Sequence, residues 1–445
     1  MICLTLYVAV LFGFASVRAE HSSLVTSLPG LSDDKLSLLR FNQYSGYLSG
    51  LQGERLHYWF VESCNSPQTD PVVLWLGLGP GCSAMDELLS GHGPFRVNDD
   101  LTLGLNGYSW NSNASIIYLD SPALVGFSMS SNDNFSYSSS KLVNDNYAAL
   151  LKFYEEFDEF SENKLFIGGS GYGGVQAIRL AEKIIGNKSV DIPLKGIIVG
   201  NPILDGSIFA NASIYYAYYH GLIAERLWQS LQGSCCEEGI CNFASPNSDA
   251  CKTAVEEFHT TVYNKGINLY DLKSNCSGGV PPRDTLQLPE VTAAGYTKLT
   301  CVNQTAETMY FQQLDVRDAL HISADSPQWT PCSASVTKRF EWTTSPASHV
   351  ISKLVPYIDI LIYSGLDDML YNYLASEWAI ESLNLMPSVS SRMWLCDNQV
   401  GGFIKEWESV MSVLTVKGAG HFSPRSQPGC MLQVIKSFLQ GRPIG

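Results

Sequence analysis

The chain has 445 residues, enough to bury a large core as one domain with insertions or as two domains. Its 45% hydrophobic and 11% aromatic content excludes extended disorder. With 28 Lys and Arg against 43 Asp and Glu the formal net charge is -15, and no basic cluster reverses it, which excludes a nucleic-acid partner.

The first residues, MICLTLYVAVLFGFASVRA (1–19), form a short apolar run ending in Val17-Arg18-Ala19. Small residues at 17 and 19 predict a signal peptide cleaved after Ala19, with the usual basic n-region nearly absent. A membrane anchor is the competing reading. The run is short for a span, however, and no later apolar run reaches ~18 residues, so no membrane span is expected after cleavage.

Apolar, β-branched runs then recur between glycines and turn residues: VVLWL (72–76), SIIYLD (115–120), KLFIGG (164–169), LKGIIVG (194–200), IDILIYSG (358–365) and SVLTVKGAG (412–420). Such runs suit strands buried on both faces of a sheet. Helical patterns lie between them, at 145–157, 175–185, 373–383 and 431–440. Strands alternating with helices predict an α/β sheet with crossover connections. From 206 to 330 the strand-like runs thin out and cysteines cluster, which reads as a stapled cap inserted between core segments 20–205 and 331–445.

Twelve cysteines are present, with Cys235, Cys236, Cys241 and Cys251 close together. No CxxC pair with matching histidines occurs, so no metal site is expected and disulfides in an oxidising compartment are favoured. Removal of Cys3 with the signal peptide leaves an odd count. Six Asn-x-Ser/Thr sequons, at Asn113, Asn134, Asn187, Asn211, Asn275 and Asn303, predict a glycosylated surface.

In LFIGGSGYGG (165–174) a strand runs through a tight glycine turn into a helix, the pattern of a nucleophile elbow. Asp368 and His421 each follow a later strand, in the order acid then base. The segments QYSGYLSG (43–50), HYWFVES (57–63), WLGLGPGCSAMDELLSGHGPF (75–95), YAYYHGLIAERLWQSLQ (216–232) and KGAGHFSP (417–424) extend the likeness over nearly the whole mature chain. On these segments the chain resembles the serine carboxypeptidases, which implies an α/β-hydrolase fold with an inserted cap.

Carried onto this sequence, the family's Gly-Glu-Ser-Tyr-Ala-Gly elbow is registered by Tyr172 and Gly174. Its nucleophilic serine then falls on Gly171, and its glutamate on Ser170. A working Ser170 would need small residues two positions away on each side, and there they are Gly168 and Tyr172; for position 171 they are Gly169 and Gly173. The resemblance places the carboxylate-binding residues at Gly77, Gly91 and Ser170, so all three side chains are lost, and Leu78 adds bulk at the mouth. It also places the oxyanion-hole amides at Gly79 and Tyr172, and the retained acid and base at Asp368 and His421.

Disulfides implied by the resemblance join Cys82 to Cys332, Cys235 to Cys251, Cys236 to Cys241 and Cys276 to Cys301. Cys64, Cys396 and Cys430 have no counterpart, so one pair among them would still leave a thiol over. The resemblance further implies a homodimer without cofactor, in the lysosome or outside the cell. The expected function is a non-catalytic homologue that binds or stabilises another lumenal protein, or holds a peptide. The alternative is an active serine-type carboxypeptidase using Ser170 or a nucleophile not yet recognised.

Overall fold

Strands β1 (Gln43–Ser49), β2 (Glu54–Val61), β3 (Val72–Leu76), β4 (Ser115–Leu119), β5 (Leu165–Ser170), β6 (Leu194–Gly200), β7 (Asp359–Gly365), β8 (Pro387–Cys396), β9 (Gln399–Trp407) and β10 (Met411–Val416) build one sheet. A short strand, Met129–Ser130, also pairs with β2. Their spatial order is β1-β2-β4-β3-β5-β6-β7-β10-β9-β8. The six middle strands run parallel, flanked by antiparallel pairs at both edges. This is a computed structural model, and it describes residues 23–131, 137–263, 266–277, 301–341 and 345–445. The expected signal peptide and the Asn134 sequon lie outside those residues.

The apolar runs divide by parity between two faces, as side chains in a strand must. Leu74, Leu76, Ile167, Ile197, Val199 and Ile362 join one core with helices α1 (Ser139–Glu156) and α2 (Tyr172–Gly186). Val73, Trp75, Phe166, Ile198, Leu361 and Tyr363 face the other core. A strand covered on both faces has no polar side to show, hence the unbroken hydrophobic runs in the sequence.

After β6 the chain enters α3 (Gly206–Tyr219), α4 (Glu225–Cys235) and α5 (Asp249–Tyr263). Asp205 starts α3 by accepting hydrogen bonds from the Ser207 and Ile208 amides. These helices own a separate cluster, with Trp228, Leu231 and Phe258 packed against Met369, Leu370 and Tyr371. The expected end of the cap at 330 moves, because Tyr310, Phe311, Val316, Leu320 and Trp329 bury themselves in the second core with Trp75. Their aromatic bulk belongs to the main sheet.

Cys235–Cys251, Cys236–Cys241 and Cys276–Cys301 staple the cap, and Cys82–Cys332 ties the loop after β3 to the core. A fifth bridge, Cys396–Cys430, fastens β8 to helix α6 (Pro428–Leu439) and settles a pairing the sequence left open. Asn275 and Asn303 are exposed, and Asn113, Asn187 and Asn211 are partly so. No described helix is long and apolar enough to cross a membrane.

Candidate active site

Strand β5 ends at Ser170 and α2 begins at Tyr172, leaving Gly171 alone at the apex with φ 55° and ψ -121°. That left-handed, strained geometry is what an elbow imposes on its nucleophile, and glycine adopts it without steric cost. The flanking glycines are enforced by contact. A Cβ on Gly169 would stand 2.6 Å from the Gly173 backbone, and one on Gly173 would stand 2.2 Å from the Gly77 carbonyl oxygen. The apex of the turn is therefore residue 171, and it carries no side chain.

The acid and base sit at the carboxyl ends of neighbouring strands. Asp368 follows β7, His421 follows β10, and His421 Nδ1 lies 2.7 Å from Asp368 Oδ2. Asn201 Nδ2 donates to the same oxygen at 2.8 Å, and the Tyr371 amide donates to Oδ1 at 2.9 Å. The carboxylate is thus held by three donors and orients the imidazole. His421 is buried, and its Nε2 has no hydrogen-bond partner among the described residues. The base is aligned and has no hydroxyl to deprotonate.

Leu78 fills the space in front of the elbow. A Cβ on Gly171 would meet the Leu78 carbonyl oxygen at 2.7 Å, Leu78 Cδ1 at 3.1 Å and Tyr371 Cε1 at 3.5 Å. The expected oxyanion hole is correspondingly not open, because the Tyr172 amide donates to the Leu78 carbonyl at 2.8 Å. A backbone carbonyl already occupies the donor that would serve a developing oxyanion. At Gly79, the other expected donor, an added Cβ would meet only Cys82 Sγ, at 4.0 Å. Tyr371, whose ring lies 4.4 Å from that of His421, is a site residue sequence reading passed over.

Ser170 points away from all of this. As the last residue of β5 it shares parity with Phe166, on the face of Trp75 and Tyr363. Its hydroxyl lies against the Glu87 carboxyl and the Tyr363 hydroxyl. Glu87 is the second residue that sequence reading missed. It stands one helical turn before Gly91, buried, and accepts a hydrogen bond from the Trp75 indole. Burial pushes its carboxyl up to about 7, against the hydrogen bonds from Trp75 and Ser170. The nearby Asp86 is raised to about 6, again chiefly by burial. A carboxyl therefore stands beside Ser170 and Gly91, the two positions where the resemblance expects glutamates.

Of the positions expected to bind a carboxylate, Gly77 has no room for a side chain: its Cβ would stand 2.3 Å from the Cys82 carbonyl oxygen. Gly91 has room, its nearest neighbour being Glu87 Cβ at 3.5 Å.

A serine–histidine–aspartate grouping exists elsewhere in the fold and is not a site. Ser45 Oγ lies 3.0 Å from His57 Nε2, and His57 Nδ1 lies 3.5 Å from Asp120 Oδ2. All three are 0% exposed, and Ser45 donates its proton to the Leu320 carbonyl at 2.7 Å. No substrate reaches that hydroxyl.

The serine carboxypeptidase family signature matches residues 29–441. The chain is 37% identical to the lysosomal protective protein of Mus musculus, over 96% of this chain and 95% of that one. It is 32% identical to serine carboxypeptidase ctsa-4.1 of Caenorhabditis elegans, over 98% and 97%. Among solved structures it is similar in fold to a prohormone-processing carboxypeptidase of Saccharomyces cerevisiae, with a TM-score of 0.71 at 21% identity, covering 90% of this chain and 91% of that one.

Proposed function

We propose, from the premise that this chain belongs to the serine carboxypeptidase family, that it is a non-catalytic member acting as a binding or stabilising protein of the secretory or lysosomal pathway. One observation carries the reading: the apex of the elbow is Gly171, so the aligned His421–Asp368 pair has no nucleophile to activate. Loss of the serine from such a unit costs on the order of 10⁶ in turnover. The bond between the Tyr172 amide and the Leu78 carbonyl removes an oxyanion donor as well.

The relative named a lysosomal protective protein supports lumenal residence and a role that needs no serine. A homodimer, a lumenal protein partner and a bound peptide are the associations that go with this reading. The intact His421–Asp368 pair is the observation favouring the second reading, an active carboxypeptidase.

Intact mass after treatment with a fluorophosphonate, at about pH 5 and about pH 7, separates the two. An unmodified protein at both pH values is expected. A stoichiometric adduct mapping to Ser170, or to any other serine, would overturn the proposal.

A further inference from the structure

We propose that the open groove between the first turns of α1 and the middle of α2 binds a phosphate or sulfate ester of a sugar, with Lys183 as its anchor. The groove measures about 610 Å³, inside the range of ~300–1,000 Å³ typical of small-molecule sites. Ser138, Ser139, Ser140 and Asn144 line it from α1, Arg179 and Lys183 from α2. Neither the elbow apex, nor His421, nor any residue of the cap is among its lining.

Charge sets this groove apart in a chain of net charge -15. Arg339 ends the short helix Ala334–Arg339, after which Phe340 pairs with Tyr137 and Glu341 with Ser138. That pairing brings Arg339 to the groove, where its charge acts on the Tyr137 phenol. Arg179, Lys183 and Arg339 thus gather at one place, and none of them forms an ion pair with a described carboxylate. Of the carboxylates that line the groove, Glu182 pairs with Lys353 at 2.6 Å. Only Glu341, exposed at the surface, is left to oppose three cations. Such a surplus of positive charge on an acidic chain favours an anionic ligand.

Two of the cations are held in place. Lys183 Nζ lies 5.1 Å over the Tyr147 ring, which positions the ammonium and leaves its charge intact. Arg179 Nη2 donates to the Ser345 carbonyl at 2.6 Å. The groove also meets the N-terminus of α1, whose first turn carries no acidic residue, so the helix field adds to the attraction.

The walls select the body of the ligand. Ser138 Oγ and Ser140 Oγ lie 3.2 Å apart, and a hydroxyl both donates and accepts. With the Asn144 amide beside them, they offer partners to a ring that carries several hydroxyls. Val143 is the one apolar side chain of the lining, which gives a hydrocarbon tail little to bury against. No aromatic ring is among the lining residues for a nucleobase to stack on.

Calorimetric titration of the intact chain at pH 7 and low salt, with glucose 6-phosphate, glucose 6-sulfate, inorganic phosphate and glucose, tests the site. At least one ester is expected to bind with 1:1 stoichiometry, about tenfold or more tighter than glucose. Which ester binds tighter identifies the oxyanion. Lys183→Gln should weaken that ester by about two- to fivefold, and Glu341→Gln should tighten it by a similar factor. Glu341 is exposed, so its variant keeps the test open should Lys183→Gln fail to fold. Absence of saturable ester binding, equal binding of ester and glucose, or affinities unchanged in the folded variants would each overturn the proposal. Inorganic phosphate binding as tightly as the esters would overturn the assignment of a sugar. None of these readouts depends on fluorophosphonate labelling at the elbow.

Discussion

The Leu78 carbonyl oxygen accepts the Tyr172 amide at 2.8 Å, and the same oxygen would stand 2.7 Å from a side chain at Gly171. The side-chain-free apex and the occupied Tyr172 amide are therefore two sides of one contact. A glycine at 171 lets the loop after β3 settle onto the elbow, and the settled loop then admits nothing but glycine there. Reversal of either change by itself meets the other.

Gly171→Ser alone should consequently stay unlabelled by a fluorophosphonate. It should also lose about 1–3 kcal/mol of stability, from a tight contact and a non-glycine residue in the left-handed region. The double variant Gly171→Ser, Leu78→Gly relieves the Leu78 Cδ1 contact and frees the loop to withdraw, and labelling should appear in it. Intact-mass spectra of both variants check this. Labelling of the single variant would show that the loop yields without help.

Strand parity turns the Ser170 hydroxyl to the buried Glu87 on the sheet's second face. Ser170→Ala should leave fluorophosphonate reactivity where it stands in the wild type. It should cost about 1 kcal/mol in denaturant unfolding, the usual worth of a lost buried hydrogen bond. An effect on labelling would contradict the orientation described.

The elements that a period-2 or period-3.6 pattern marks were legible in the sequence. All six apolar runs are strands of the sheet, and the glycines at 169, 171 and 173 announced a turn too tight for side chains. Leu78 was legible as bulk at the mouth, but its carbonyl was not. A backbone atom leaves no trace in residue type, and the closed oxyanion hole depends on where the loop rests. Glu87 was missed for a related reason. The resemblance expects a carboxyl at position 91; one stands a turn earlier, and only the helical geometry of Glu87–Gly91 brings the two positions to one place. The aromatic segment from Tyr310 to Trp329 lies within the cysteine-rich stretch, yet it packs on the main sheet.

The same glutamate sets a pH dependence. Burial raises Glu87 from 4.5 to about 7 in the folded chain, so the folded state holds its proton over a range where the unfolded chain has released it. The stabilisation is complete below the unfolded value and is lost as pH rises from about 4.5 to about 7. On a scale of 1.36 kcal/mol per unit, the loss is on the order of 3 kcal/mol. Asp86, raised to about 6, has the same sign. His92 has the opposite one, since burial holds it neutral and stability falls as pH drops below its ordinary 6.5. Unfolding free energies of wild type and Glu87→Gln, compared from pH 4.5 to 7.5, isolate the glutamate. Their difference should shift in favour of the variant as pH rises, and a constant difference would refute the assignment.

Gly77 and Gly91, two of the positions expected to bind a carboxylate, should respond oppositely to an added side chain. At Gly77 an added Cβ would lie 2.3 Å from the Cys82 carbonyl oxygen, and Cys82 is tied to Cys332, so the loop has no free direction in which to give way. Gly77→Ala should therefore cost about 3 kcal/mol or more, at the upper end of what overpacking does. At Gly91 the nearest atom is Glu87 Cβ at 3.5 Å, an ordinary contact. Gly91→Ala should change stability by less than about 1 kcal/mol, with alanine's better helix propensity acting in its favour. Chemical denaturation of the two variants side by side measures the contrast. Equal costs would mean that the loop after β3 is free to move, and that the closed elbow is held by Leu78 alone.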